Sequence, residues 1–204
     1  MVDGGSTDGT REIVNNFENV LLVDEIGRNG MYAAIHQGFE KADGNYFAYV
    51  NADDEVLKSG FETMYNHITK TEKCDFVYSN AKFFFEEENK NIDMIAKSRA
   101  SFFLKNGIMP FVQPSSIYSK ALYDDIGGLR YDIFRICGDL DMFQRMVLHG
   151  TNPYHIKEFS TRFLKYSGSL AAISQDLKKE ELKFLTSQPK VNNFLLKIMF
   201  KLNL

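Results

Sequence analysis

The chain has 204 residues, 44% of them hydrophobic, a formal net charge of −3 and two cysteines. That length and apolar share exclude global disorder and fit one domain of ordinary size with an appendage. The slight negative charge excludes a general nucleic-acid binder, and no run of 18 apolar residues or basic-then-apolar leader is present.

Cytoplasmic residence is therefore expected, and Cys74 and Cys137, which lack metal-type spacing, suit a reducing compartment. Charge is unevenly spread. Residues 1–156 carry 15 basic against 23 acidic side chains, a net −8, and residues 157–204 carry 9 against 4, a net +5. The acidic part can hold a cation. The basic part can meet phosphates or simply form a solvated helix.

In chain order, the stretch MVDGGSTDGTREIV reads as a strand tip, a glycine-rich bend and a helix over 7–17, capped by Ser6, Thr7 or Asp8, with Ile13, Val14 and Phe17 as its apolar stripe. VLLVD at 20–24 reads as a buried strand. A second helix is expected over 30–42, with Met31, Ala34, Ile35 and Phe39 on one face, and a turn at Asp43-Gly44-Asn45. YFAYV at 46–50 is a strand running into Asn51-Ala52-Asp53-Asp54. A helix over 60–70 and a strand over 75–80, extended or paired by 82–88, follow. Strand and helix alternate at spacings that predict an α/β fold, a mostly parallel sheet flanked by helices. Ligands in such folds sit at the carboxyl ends of the strands, where Asp3 and Asp53-Asp54 fall. Beyond residue 90, short helices are expected at 98–106 and 119–126, a longer one at 138–149, and terminal helices at 175–187 and 191–202.

Three stretches carry chemistry. Asp53 and Asp54 suit a hard divalent cation that keeps waters and binds substrate phosphates; a turn or helix cap explains the same pair. The glycines of DGGSTDGT permit close backbone approach to a ligand, and the helix that follows offers free amides. The pattern is neither an EF-hand loop nor a P-loop. In GDLDMFQRM, Asp139 and Asp141 stand at a helix start, where a carboxylate serves as a general base or as a cap favoured by the helix dipole.

In this order, VDGGSTDGT, GRNGMYAAIHQGFEKADGNYFAYVNADD and QPSSIYSKALYDDIGGLRYDIFRICGDLDMFQRMVLHG resemble the family 2 glycosyltransferases of the GT-A fold, in particular the bacterial branch that builds O-antigen and capsule polysaccharide. The resemblance covers about residues 2–170, taken as the transferase domain, with 171–204 as a helical tail. It implies roles by position. Asp3, Gly5 and Ser6 would lie in the nucleotide-binding loop, with Asp3 on the base or ribose. Asp53 and Asp54 would hold the ribose and a Mn²⁺ or Mg²⁺ ion bridging the diphosphate. Asp139 would deprotonate the acceptor hydroxyl, supported by Asp141 and Arg145. The implied reaction is an inverting transfer from a nucleotide-sugar, by family habit a UDP-sugar, to a glycan or lipid-linked acceptor.

The chain departs from the family pattern in places. Asp3 is followed by Gly4 where many relatives have a second aspartate, Asn51 stands at the first position of the DxD motif, and Gly138 replaces a frequent glutamate. Ala33 and His36 replace the Asp and Asn usual in the nearest branch, and Tyr166-Ser167-Gly168 replaces a histidine or glycine pair. Relatives also begin roughly 30 residues earlier, with a central strand. Its loss would leave an unpaired sheet edge open to self-association or a partner. The apolar and basic stretch 192–204, with Lys197 and Lys201 beside Phe194, Leu195, Ile198, Met199 and Leu202, suits peripheral contact with the inner face of the cell membrane, packing on the domain or a dimer contact. Against the enzyme stands an alternative, a truncated or degenerate relative that binds nucleotide weakly or acts as a scaffold.

Overall fold

A computed structural model describes residues 1–187. The second terminal helix expected over 191–202 and the membrane contact expected of 192–204 lie outside the described residues. Among the described residues no helix is long and apolar enough to cross a membrane.

The strands are β1 (Val2–Asp3), β2 (Val23–Asp24), β3 (Tyr46–Phe47), β4 (Glu55–Val56), β5 (Phe76–Phe85), β6 (Lys90–Met94), β7 (Ser116–Ser119) and β8 (Tyr154–Lys165). The helices are α1 (Thr10–Val14), α2 (Met31–Lys41), α3 (Lys58–Lys70), α4 (Ala100–Lys105), α5 (Lys120–Asp125), α6 (Gly138–His149), α7 (Leu170–Ile173) and α8 (Gln175–Thr186). The fold is the expected α/β type, helices flanking a curled sheet. Its main sheet runs β3-β7-β5-β8-β4, with β6 on β5, and β1-β2 form a separate pair. The expectation of a mostly parallel sheet needs correcting in detail. β1–β2 and β5–β8 are parallel, while β3–β7, β5–β7, β5–β6 and β4–β8 are antiparallel. The hairpin from β5 into β6 forces one reversal, and β7 inserts antiparallel between β3 and β5.

FVYSN and KFFF form one strand rather than two. Phe76–Ala81 are buried, and a register shift at Ser79–Ala81 turns the rest outward. The buried polar groups there are satisfied. Ser79 Oγ donates to Ser160 Oγ at 2.6 Å, and Asn80 Oδ1 accepts the Ala96 amide at 3.0 Å.

The core lies between the sheet and α2, α4, α5 and α6. Phe76, Tyr78, Phe111, Tyr118 and Phe143 fill it, and Phe39 of α2 stacks on Phe47 at 4.5 Å. Each such aromatic pair contributes about 1 kcal/mol beyond its buried area. A smaller cluster of Met64, Ile68, Val77, Ile117 and Ile156 packs α3 on the opposite face.

The N-terminal elements are less anchored than their sequence suggests. α1 covers five residues and buries none, leaving Ile13 and Phe17 about 60% exposed. Of VLLVD only Val23–Asp24 pairs, and Leu21 is exposed. A cavity of about 570 Å³ separates β1 from the segment 46–52, walled by Val2, Ala34, Gly38, Phe47 and Val50.

Candidate active site

Asp3 is buried at the end of β1. Its carboxylate accepts the Gly5 and Ser6 amides at 3.1 Å each, the Ser6 hydroxyl at 2.5 Å and the Arg11 guanidinium at 2.7 Å. The Ser6 hydroxyl, Arg11 and the two amides hold it far below the usual carboxylate range. Arg11 also reaches Asp24 at 2.7 Å, tying α1 across the β1–β2 pair. Gly5 has φ 94°, the left-handed region that lets the loop fold back over Asp3. None of the three expected residues caps α1: Gly9 stands at the N-cap in the left-handed region, and Asp8 before it accepts the Thr10 amide at 3.1 Å and the Thr10 hydroxyl at 2.6 Å. Asp3, Gly5 and Ser6 thus form one hydrogen-bonded loop on the smaller sheet. No hydrogen bond or ion pair among the described residues joins Asp3 to the other candidate acids.

Asp53 and Asp54 lie in a turn closed by the Asp54 amide on the Asn51 carbonyl at 3.1 Å. Asp53 is exposed. Asp54 precedes β4, which pairs with Thr161–Arg162 of β8. Its Oδ1 accepts the Leu164 amide at 3.1 Å, and its Oδ2 accepts the Asn51 side chain at 3.4 Å. Asn51 thus orients the acid that follows it. Burial pushes the Asp54 carboxyl up to about 6, the Leu164 amide working against that rise. No group of three metal-ligating side chains occurs among the described residues. Two carboxylates, with phosphates and water completing the shell, is a set that suits Mg²⁺ or Mn²⁺ carried in with a nucleotide, not a closed protein site.

Asp139 and Asp141 occupy the first turn of α6, at the positive end of its dipole. Asp139 is half-buried. Its Oδ1 accepts the Leu140 amide at 2.8 Å and lies 3.1 Å from the Tyr32 hydroxyl of α2, which is also 2.9 Å from the Ile136 carbonyl. Desolvation raises the Asp139 carboxyl above the ordinary carboxylate value, with the Leu140 amide and Tyr32 opposing. A carboxyl raised in this way is a better proton acceptor than a solvated one.

Gly138 is explained by the same packing. A Cβ there would meet the Tyr32 ring at 2.7 Å, so a larger residue would displace the phenol that touches Asp139. Tyr32→Phe is expected to lower kcat about tenfold, the worth of one such hydrogen bond, with little change in KM. Because Tyr32 pulls the Asp139 carboxyl down, the acid limb of the kcat–pH profile is expected to move to higher pH in the variant. Steady-state kinetics from pH 5 to 9 check both.

Asp141 does not face open space. It is 1% exposed and takes the Arg145 Nε at 2.9 Å and, from the preceding loop, both Nε and Nη2 of Arg130. Arg145 also donates to the Ile126 and Gly128 carbonyls at 2.6 Å each. The cluster ties the Gly127-Gly128 turn to α6 and sets the direction of the helix that carries Asp139.

Several residues at the site carry no motif in the sequence. Glu181 of α8 is buried, and its carboxylate accepts the Arg135, Ile136 and Cys137 amides at 2.7, 3.0 and 2.7 Å. It caps the loop into α6, so α8, in the stretch read as a tail, completes the frame around Asp139. Arg135 reaches back to the Asn29 carbonyl ahead of α2. Tyr49 feels the charge of both Asp139 and Asp54, and its own hydroxyl is raised, first by burial. His36 bonds Tyr123 at 3.1 Å and packs on Tyr131, a structural placement.

The family model for Glycosyl transferase family 2 matches residues 1–127, from the Asp3 loop through Asp53-Asp54 to α5. The chain belongs to glycosyltransferase family 2. Among curated members, the uncharacterized glycosyltransferase YibD of Escherichia coli K12 is 31% identical over 103 residues, covering 48% of this chain and 29% of YibD. Glycosyltransferase GlyA of Streptococcus pneumoniae is 32% identical over 91 residues, 43% of this chain and 13% of GlyA. The cholesterol galactosyltransferase of Borreliella burgdorferi is 31% identical over 88 residues, 42% of this chain and 24% of that enzyme. This family 2 chain therefore matches less than a third of the length of these three relatives. Among solved structures, S. aureus TarS 1-349 in complex with UDP superposes with a TM-score of 0.67 at 14% identity, covering 95% of this chain and 57% of TarS. The UDP-GlcNAc complex of TarS gives 0.66 at 15%. At that identity the likeness shows a shared GT-A fold.

Proposed function

We propose that this family 2 chain is the catalytic part of an inverting glycosyltransferase. It moves a sugar from a nucleotide-sugar, a UDP-sugar, to a hydroxyl of a glycan or lipid-linked acceptor in the building of cell-surface polysaccharide of the O-antigen or capsule kind. The observation that carries the reading is Asp139: a desolvated carboxyl at the start of α6, held by Tyr32 and the Leu140 amide. The UDP and UDP-GlcNAc complexes of TarS support the choice of donor.

In this reading Asp139 takes the proton of the acceptor hydroxyl as its oxygen attacks the anomeric carbon. The bond to the nucleoside diphosphate breaks on the opposite face, so configuration inverts and no carboxylate nucleophile is needed. Mn²⁺ or Mg²⁺, held by Asp53 and Asp54, would supply charge neutralisation for the departing diphosphate. The Asp3–Gly5–Ser6 loop would meet the nucleoside. Two free cysteines suit a reaction on the cytoplasmic face of the cell membrane.

One observation favours the non-catalytic alternative. The Asp3 carboxylate is already saturated by its own loop and Arg11. Release of UDP from a panel of UDP-sugars, with Mn²⁺ and simple glycoside acceptors, separates the readings. Turnover of at least one donor is expected; nucleotide binding with turnover of none would select the non-catalytic relative.

A further inference from the structure

Between the ends of β5 and β8 and the helices α7 and α8 lies a cavity of about 300 Å³, lined by Phe85, Glu87, Lys165, Tyr166, Gln175 and Lys178 among others. Lys165 and Lys178 are both half-buried, and neither has a carboxylate within ion-pair distance among the described residues. The one acid on the wall, Glu87, is engaged by the Ser167 amide at 2.7 Å. The Lys165 ammonium rests over the Phe83 and Phe163 rings at 4.9 and 4.7 Å. Desolvation and the neighbouring Lys178 together hold it below its ordinary value. Two like charges on the wall of one half-dry cavity cost free energy unless an anion joins them.

The position of the pair indicates which anion. Lys165 directly follows Leu164, whose amide binds Asp54, and its charge acts on Asp54. Lys178 lies one helical turn before Glu181, which caps the loop into α6, and its charge acts on Asp139. The chain thus ties one lysine to the turn of the acid assigned to the cation and the other to the helix that frames the acid assigned to the acceptor. In the nucleotide-sugar reading above, the departing diphosphate lies at the Asp54 turn. The first turn of α8 adds Gln175 to the same wall.

We propose that Lys165 and Lys178 bind the phosphate oxygens of the donor's diphosphate and neutralise the charge it gains as the glycosidic bond breaks. This rests on the nucleotide-sugar reading above. It adds to that reading a protein-borne anion site, separate from the DxD turn and furnished by the stretch 165–178. Point-charge ammonium groups suit phosphate oxygens that shift as the bond lengthens.

The test is calorimetric titration of the 204-residue chain and of Lys165→Gln/Lys178→Gln with UDP, GDP, dTDP, uridine and inorganic pyrophosphate, all in EDTA so that no cation contributes. The expected result is at least tenfold weaker UDP and pyrophosphate binding in the variant, unchanged uridine binding, and recovery in Lys165→Arg/Lys178→Arg. Equal UDP and pyrophosphate binding by wild type and glutamine variant would overturn the proposal. Weakened pyrophosphate with unchanged UDP would also overturn it, assigning the pair to a phosphate of another molecule such as a lipid-linked acceptor. A wild type that ignores UDP, GDP and dTDP yet loses pyrophosphate binding in the variant would keep the anion site and sink the nucleotide reading. Loss of uridine binding alongside UDP would mark a merely structural role and overturn the assignment.

Discussion

Asp139→Asn is expected to abolish turnover while leaving the protein folded and able to bind nucleotide. The amide keeps the shape of the carboxylate and an oxygen for the Leu140 amide and the Tyr32 hydroxyl, but it cannot accept a proton at neutral pH. A positioned general base contributes about 10² to 10⁴ in rate, so kcat is expected to fall about 1,000-fold with KM for the donor little changed. Stability should move the other way. The folded-state value of Asp139 is raised above 3.8, chiefly by desolvation. The folded state therefore holds this proton more tightly than the unfolded state, and the carboxyl's contribution worsens as pH climbs through the unfolded value toward the folded one. At neutral pH the full penalty of the desolvated carboxylate is present, and asparagine removes it. The variant's Tm at pH 7 is expected to equal or exceed that of the wild type, the gap closing below pH 4. A large loss of Tm with the loss of activity would instead make Asp139 a structural cap. Thermal melts across pH beside a UDP-release assay read both quantities.

Asp141→Ala is expected to have the largest effect on stability. The carboxylate is 1% exposed and serves Arg130 and Arg145 together. Its removal leaves two guanidinium groups facing each other beneath α6. Arg145 is still pinned to the Ile126 and Gly128 carbonyls, so it cannot simply swing into water. Breaking such a buried pair costs about 3–5 kcal/mol. For a domain whose total stability is about 5–15 kcal/mol, that loss removes a large share of the folded population. Urea unfolding followed by fluorescence is expected to show the midpoint lowered in proportion. Asp141→Asn, which keeps one acceptor oxygen of the two, should lose less. Equal stability of all three proteins would mean that the cluster does not hold α6.

Which parts of this site could be read from the chain follows from contact range. Asp139 and Asp141 were legible because they open one helix-like run, Arg145 only through the family motif it matches, and Asp53-Asp54 because the pair directly follows a strand-like run. Helices α2, α3 and α6 announce themselves by apolar periodicity and lie within a few residues of their expected bounds. Tyr32, Arg130 and Glu181 escaped because their roles arise from contacts with residues 11 to 107 positions away, and no local pattern marks them. The lysine pair escaped for the same reason. It joins the end of β8 to α8, in a stretch whose basic charge admitted phosphate binding without saying which residues would meet it. Strand direction was also illegible: YFAYV and FVYSN look alike, and only the return of β7 between them decides that each neighbours an antiparallel partner. At the N-terminus, apolar content promised buried elements, yet α1 and the VLLVD segment find little to pack against.

The most direct test of the account is UDP titration into this 204-residue chain, with and without Mn²⁺, beside an Asp53→Ala/Asp54→Ala variant. Micromolar UDP binding that Mn²⁺ tightens, with the tightening lost in the variant, is the predicted result, and it would place the acid pair in a working donor site. A folded wild-type chain that binds none of UDP, GDP or dTDP, with or without Mn²⁺, would contradict it.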